Sequence, residues 1–449
     1  MPFWKNDRVT PAQIIILGFF TLILAGTALL MLPFAVSGGE RASFLDALFT
    51  ATSATCVTGL VLHDTALYWS SFGQAVILLL IQIGGMGVVT MAVAISIFTG
   101  KKIGLRQRWI MQESISAPQV GGIVRQTRFI LKTAFLIEAA GAVLLSLRFC
   151  PEFGFFKGLW YGLFHSVSAF CNAGFDLMGA GGSAFSSLTG YTGDFLVSCT
   201  VAALIVLGGL GFLTWHDFRE HGPRLRSYRL QSRLILTTTF ALITGGFLYL
   251  FLFEFRQPQW QDLSLGQRAA ASLFQSVTPR TAGFNTVDLG RLSQPGQLMM
   301  ILLMLIGGSP GSTAGGFKTT TLAVLLLSSY AVFRRRGSAQ CFGRRIPDET
   351  LRSAAAILLL YLLLFLTGGV LISIIDGVPL MAALFETASA IGTVGLSLGI
   401  TPGLSSPSRL ILIILMYFGR VGGLTMIYAV TSGTPVPMTQ FPQERVTVG

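Results

Sequence analysis

The chain has 449 residues, of which 52% are hydrophobic and 11% charged, whereas a soluble domain carries about 25% charged residues. That composition excludes a water-soluble enzyme of familiar type. The formal net charge of +12 is gathered between apolar runs, where positive charge records topology, so no nucleic-acid partner is expected.

In chain order, apolar runs of the roughly 20 residues that cross a bilayer occupy 12–32, 72–98, 129–147, 195–213, 234–253, 298–333, 354–375 and 410–430. Eight candidate spans make this a polytopic membrane protein. Lysines and arginines fall before the first run (Lys5, Arg8), between the second and third (Lys101 to Arg128), between the fourth and fifth (Arg219 to Arg233), and between the sixth and seventh (Arg334 to Arg352). Those loops, and with them both termini, are expected in the cytoplasm, where the basic groups also meet anionic lipid headgroups. The first run is too long for a signal-peptide core and lacks a small-residue cleavage site, so it is expected to stay as an anchor. The five cysteines have neither metal-ligand spacing nor the pattern of a disulfide framework.

Between the runs a short phrase returns four times. It ends at Gly59, Gly174, Gly283 and Gly395, with intervals of 115, 109 and 112 residues. Each quarter then reads as spanning helix, short helix opening with LeuPhe, glycine turn, spanning helix. The expected fold is an all-α polytopic membrane protein of four parallel helix–pore loop–helix repeats: eight transmembrane helices and four short pore helices around a central pore. The repeats cover 1–115, 116–225, 226–340 (with a broken inner helix and an intramembrane gating loop) and 341–449 (with a pore-facing arginine and a cytoplasmic tail). Two spans per unit keep all four in one orientation, whereas inverted repeats need odd counts. The second runs align through Gly84, Gly208, Gly307 and Gly419, and through Gly87, Gly211 and Gly422. At a further aligned position Gly85, Gly209 and Gly308 are matched by Arg420.

Unpaired backbone at membrane depth is tolerable only where it lines a cavity or is buried in protein. A ring of four such loops can turn carbonyls inward to replace the hydration shell of a monovalent cation, with glycine permitting the necessary dihedrals. The candidate ion-binding residues are Thr55, Cys56, Val57, Thr58 and Gly59; Cys171, Asn172, Ala173 and Gly174; Arg280, Thr281, Ala282 and Gly283; and Gly392, Thr393, Val394 and Gly395. The C-terminal end of each short helix would add negative potential at the same axis.

The segments Thr55 to Leu60, Ser168 to Phe175, Thr278 to Asn285 and Gly392 to Gly395 resemble the four selectivity-filter segments of the Trk/Ktr/HKT superfamily of potassium-translocating membrane subunits. The likeness runs over essentially the whole chain. With no extra helical pair before the first repeat, the chain is most similar to the Ktr branch. That resemblance implies potassium uptake across the cytoplasmic membrane of a bacterium, with potassium as the transported ion and sodium as a coupling or regulatory ion. It also implies a homodimer with one pore per protomer, docked on a cytosolic ring of nucleotide-binding regulatory subunits. All four filter glycines are present, whereas members with serine at the first position tend to carry sodium.

The run 298–333 is too long for one straight span and is broken by Gly307, Gly308, Ser309, Pro310, Gly311, Ser312, Thr313, Ala314, Gly315 and Gly316. Proline removes a backbone donor and glycine disfavours helix. Taken alone, such a break is a kink or a connecting loop. Below four filter loops it would obstruct the pore and move aside as a gate, which is also what the resemblance implies. Arg420 stands where the other repeats have glycine and should point to the axis; an intramembrane charge is a functional candidate by default. The competing reading is a structural ion pair with Glu386 or Glu138.

His63, Asp64, Asp176 and Asp288 follow the filters and would form either a cation-concentrating vestibule or a solvated rim. Arg280 and Lys318 are expected to be tied to carboxylates or helix-end carbonyls. The same resemblance implies that the tail from Ser432 joins the dimer contact. No HisGluXXHis or GlyXSerXGly motif occurs, so neither enzyme activity nor an organic cofactor is expected. An alternating-access transporter for a small solute is the alternative.

Overall fold

The computed structural model describes residues 10–98, 104–114, 121–181, 183–423, 425–426, 442 and 444. Lys5, Arg8, Lys101, Lys102, the end of the last apolar run and almost all of the tail from Ser432 lie outside the described residues. The described chain is predominantly helical, with one small hairpin pairing Gln340–Cys341 with Arg344–Arg345.

The helices are α1 (Pro11–Leu30), α2 (Phe44–Thr55), α3 (Thr65–Tyr68), α4 (Ser71–Met86), α5 (Val88–Phe98), α6 (Leu105–Ser114), α7 (Ile123–Phe153), α8 (Phe155–Phe170), α9 (Phe195–Gly209), α10 (Phe212–His221), α11 (Leu230–Tyr249), α12 (Leu265–Val277), α13 (Gln294–Leu305), α14 (Thr319–Phe333), α15 (Asp348–Asp376), α16 (Leu380–Gly392) and α17 (Ser406–Val421). Their starts follow local chemistry. The side chains of Ser43, Ser70, Asp194, Ser264 and Ser293 accept hydrogen bonds from the first free N–H groups of α2, α4, α9, α12 and α13, satisfying donors that no helical carbonyl reaches.

α1, α7, α15 and α11 with its π-helical end to Glu254 are long and apolar enough to cross a membrane. The second runs of the first three repeats are not continuous helices, and the expectation of one break, in the third repeat, is corrected. α4 and α5 meet at 98° and α9 and α10 at 93°, while α13 and α14 are separated by the loop 306–318. The bends fall at Gly87 and Gly211, with φ of +86° and +88°; Gly422 ends α17 at +90°. No L-residue holds that conformation cheaply, so the aligned glycines are stops, placed alike in three repeats.

The long helices α1, α7, α11 and α15 pack on the short helices α2, α8, α12 and α16 that follow them. Each second helix then packs on the next short helix: α4 on α8, α9 on α12, α13 on α16, and α17 back on α2. The seam between last and first carries Arg409, whose Nη1 donates to Asp46 at 3.1 Å. The other aligned glycines let the second helix abut its own short helix. A Cβ on Gly84 would lie 2.0 Å from the Thr55 carbonyl oxygen, on Gly208 2.0 Å from that of Phe170, and on Gly419 2.2 Å from that of Ile391.

Candidate functional site

Each short helix runs into a loop whose first left-handed residue is not glycine. Val57, Asn172, Thr281 and Thr393 have φ of 51°, 57°, 72° and 50°, and two residues on come Gly59, Gly174, Gly283 and Gly395 at 93°, 69°, 85° and 92°. In three repeats the first of these closes a Schellman motif. Val57 N–H donates to Ala54 O and Thr58 N–H to Ser53 O, and the same pair of bonds recurs at Asn172 and Ala173 and at Thr393 and Val394. The third phrase is one residue shorter and contains Pro279, which has no N–H to give; there Ala282 N–H donates to Thr278 O instead. A β-branched residue at positive φ is an outlier, so the surrounding structure must hold Val57, Thr281 and Thr393 in place.

What holds them is a hydroxyl four residues after the phenylalanine of every phrase. Ser53 Oγ accepts from Gly59 N–H at 3.1 Å and Ser389 Oγ from Gly395 N–H at 2.9 Å. Ser168 Oγ donates to Phe175 O at 2.7 Å and Thr278 Oγ1 to Phe284 O at 2.6 Å. In two repeats the residue right after that phenylalanine adds a longer brace. His165 Nε2 accepts from Leu177 N–H and Glu386 Oε1 from Leu398 N–H, both twelve residues on. Glu386 also accepts from the Ser397 and Thr401 hydroxyls, each at 2.6 Å. The serines stood in the repeated phrase and were legible by alignment; the braces from His165 and Glu386 were not.

The four loops meet in cyclic order. A Cβ built on Gly59 would lie 2.4 Å from Ala173 O, on Gly174 2.7 Å from Ala282 O, on Gly283 2.4 Å from Val394 O, and on Gly395 2.2 Å from Thr58 O. Each glycine thus touches the carbonyl before the next repeat's glycine, and the fourth returns to the first. Around this ring the hydroxyls of Thr55, Thr58, Thr281 and Thr393 and Oδ1 of Asn172 are buried without a protein partner among the described residues. Thr55 and Gly392 end their helices rather than lying in the loops, and Gly392 gives α16 its close approach to α13, since a Cβ there would sit 2.4 Å from Met304 O. On one side the four glycines floor a cavity of about 440 Å³ whose wall includes Asp64, Asp176 and Asp288. His63 is not in that wall; it stacks on Tyr68 and lies 3.5 Å from Asp46.

On the other side is the loop 307–316. Its Ser309 and Thr313 N–H groups donate to Gly209 O and Gly208 O, and Gly311 O accepts from Phe212 N–H at 2.7 Å. Thr313 Oγ1 donates to Phe170 O at 3.0 Å and accepts from Asn172 Nδ2 at 2.8 Å, and a Cβ on Gly315 would lie 2.1 Å from the Thr393 hydroxyl. The loop is therefore seated directly under the glycine loops of the second and fourth repeats. Arg420 reaches it from α17: Nη1 donates to Thr313 O, and Nη2 donates to Gly84 O and, at 2.8 Å, to Gly85 O. The ion pair with Glu386 or Glu138 is thus not formed. Glu138 instead accepts from Gln82 Nε2 at 3.1 Å, and the planar guanidinium of Arg420 donates to three backbone carbonyls at once. The loop and Arg420 line a second cavity of about 330 Å³.

The two remaining cations differ from each other. Lys318 donates to Ala314 O and Gly315 O at 2.9 and 3.1 Å, clamping the loop to the start of α14. The carbonyls that hold Lys318 belong to the loop and not to a helix end, and among the described residues Arg280 meets neither a carboxylate nor a helix-end carbonyl, so the expectation is corrected for both: Arg280 Nη2 donates to the Thr239 hydroxyl at 3.3 Å, directing the charge outward toward α11.

Comparisons with known proteins show the family and the fold. The family described as TrkH, cation transport protein, matches residues 5–439. The potassium/sodium uptake protein NtpJ of Enterococcus hirae is 40% identical, over 99% of this chain and 98% of its own. Ktr system potassium uptake protein B of Bacillus subtilis is 38% identical over 95% and 94%, and that of Vibrio alginolyticus 36% identical over 100% and 98%. The fold is similar to that of the potassium transporter TrkH from Vibrio parahaemolyticus, with a TM-score of 0.74 and 21% identity over 95% of this chain and 86% of that one. The chain belongs to the TrkH family of cation transport proteins.

Proposed function

We propose that this chain is the pore subunit of a Ktr-type potassium uptake system. The observation that carries the reading is the closed ring of Gly59, Gly174, Gly283 and Gly395, each against the next loop's carbonyl, with spare threonine and asparagine oxygens around it. Such a ring offers a dehydrated monovalent cation oxygen ligands without a carboxylate, and the acids of the outer cavity raise the local cation concentration. The four units are the repeats 1–115, 116–225, 226–340 and 341–449, which together supply eight membrane crossings.

The loop 307–316, held by Arg420 and Lys318, is the gate, and it lies across the path below the ring. Two relatives are named a potassium/sodium uptake protein and a Ktr system potassium uptake protein B, which supports potassium as cargo; sodium as a coupling or regulatory ion, and assembly as a homodimer on a cytosolic nucleotide-binding ring, rest on the resemblance of the filter segments to the Ktr branch. The same reading puts the chain in a bacterial cytoplasmic membrane with both termini inside.

The test is potassium and sodium flux into proteoliposomes holding the purified chain, beside Gly59→Ser and a variant lacking 308–315. Potassium-selective flux that loses selectivity with the serine and grows with the deletion is the expected result. No flux of either ion, with the deletion equally silent, would hand the loops to another solute and favour alternating access.

A further inference from the structure

On the face of the molecule remote from the acidic cavity, α10 and the start of α7 enclose a polar cavity of about 440 Å³ lined by Gly121, Gly122, Arg125, His216, Arg219 and Arg229 among others. Its chemistry is that of an anion site. Arg125 and Arg219 have no carboxylate partner among the described residues, and Arg219 is held in place by stacking over the Phe129 ring at 4.7 Å. The nearby acids are otherwise engaged. Asp217 is buried and accepts from Ser232 Oγ at 2.6 Å and Arg229 N–H at 3.1 Å, and Glu220 lies 3.3 Å from His216 Nδ1. Gly121 and Gly122 line the cavity and precede the first turn of α7, which has no side-chain cap, so its free N–H groups lie next to the same cavity.

Depth says what kind of anion is presented there. At 1.5 Å per residue, the 31 residues of α7 span about 46 Å, more than a hydrocarbon core of roughly 30 Å and close to the whole bilayer with its headgroups. The first turns of α7 therefore stand at headgroup level, and Phe218, next to Arg219 on α10, is an exposed apolar side chain that suits acyl chains. Basic pockets between membrane helices at this depth take phosphate-bearing headgroups.

The cavity is also connected to the loop 307–316. His216 and Arg219 lie one and two turns along α10 from Phe212, whose N–H holds Gly311 O at 2.7 Å, and Gly209 at the end of α9 accepts from Ser309 N–H at 3.0 Å. We propose that this cavity binds a phosphate group, that of an anionic lipid headgroup, and that occupancy fixes the position of α10 and so the resting position of the loop. The second part rests on the reading of that loop as the gate; the first does not.

The experiment measures the thermal unfolding midpoint of the full chain in uncharged detergent with short-chain phosphatidic acid, and separately with inorganic phosphate. Phosphatidic acid should raise the midpoint, Arg125→Gln with Arg219→Gln should weaken that response roughly tenfold in concentration, and the paired lysine substitutions should restore most of it. A response to inorganic phosphate equal to that of the lipid supports the phosphate site and assigns free phosphate as its source. No response to either, or an unchanged response in the glutamine variant, overturns the proposal. So does an unchanged lipid response accompanied by loss of a co-purifying cytosolic subunit, which would give the cavity to a protein. In proteoliposomes, added phosphatidic acid should change flux through the intact chain but not through the variant lacking 308–315. Binding that persists with no effect on flux in either would sink the link to the loop while leaving the site intact.

Discussion

Gly59 shows how little room the ring allows. A side chain there would begin 2.4 Å from Ala173 O and 3.1 Å from the Gly174 Cα, backbone atoms that cannot rotate away, and at φ +93° it would also be strained. Gly59→Ser is therefore expected to open the ring between the first and second loops, with the potassium-to-sodium flux ratio falling by at least about tenfold. An unaltered ratio in a folded variant would remove the ring from the permeation path. Arg420 acts differently, because its charge faces the cavity below while three carbonyls hold it in place. A unit charge about 5 Å from a passing cation costs on the order of 3 kcal/mol at an effective dielectric near 20, or roughly two decades in rate. The carbonyl dipoles offset part of that, so Arg420→Ala should raise potassium flux between about tenfold and a hundredfold. Flux equal to that of the parent would make the arginine a purely structural tie.

The loop 307–316, proposed as the gate, carries its own test, because its two ends are neighbours. A Cβ on Gly307 would lie 3.0 Å from the Gly316 Cα, Gly307 N–H donates to Phe317 O at 2.8 Å, and Ile306 and Phe317 form a parallel bridge. Removing 308–315 can rejoin the chain with α13 and α14 left where they are, since bonded Cα atoms stand 3.8 Å apart. Flux should rise while the unfolding midpoint moves little; a silent, well-folded deletion would leave the loop without a gating role. Legibility divided along the same lines. The four glycine loops stood out in the sequence because their phrase repeats, and the 307–316 break because five glycines, three hydroxyl residues and a proline interrupt an apolar run. The bends at Gly87 and Gly211 were hidden, although both glycines were aligned. Apolar residues continue on either side of each, and hydropathy does not register one residue at positive φ. The contacts of Arg420 and the braces from His165 and Glu386 join residues distant in sequence or around a turn, where neither periodicity nor composition carries a signal.

At the scale of the whole molecule the four repeats form a closed circuit, and only one of its seams joins the two ends of the chain. There α17 returns to α2, and Gly395 meets the Thr58 carbonyl. Every other seam is also constrained by a connecting segment nearby in sequence, whereas this one depends on packing and on Arg409 reaching Asp46 at 3.1 Å, with His63 at 3.5 Å on the same carboxylate. Asp46 sits in the first turn of α2, where it also accepts from the Ser43 hydroxyl at 2.7 Å, so the pair fixes the end of the first short helix against the fourth repeat. A partly buried pair of this kind contributes about 1 kcal/mol, little in a chain of this size. The consequence for the ring is larger, because a small shift of α2 relative to α17 moves Gly59 against Gly395. Asp46→Asn should therefore lower potassium selectivity by a few-fold while changing the unfolding midpoint by no more than a few degrees. Exchanging the charges, Asp46→Arg with Arg409→Asp, should recover part of the selectivity, and a double variant no better than the single one would show that packing alone closes the circuit.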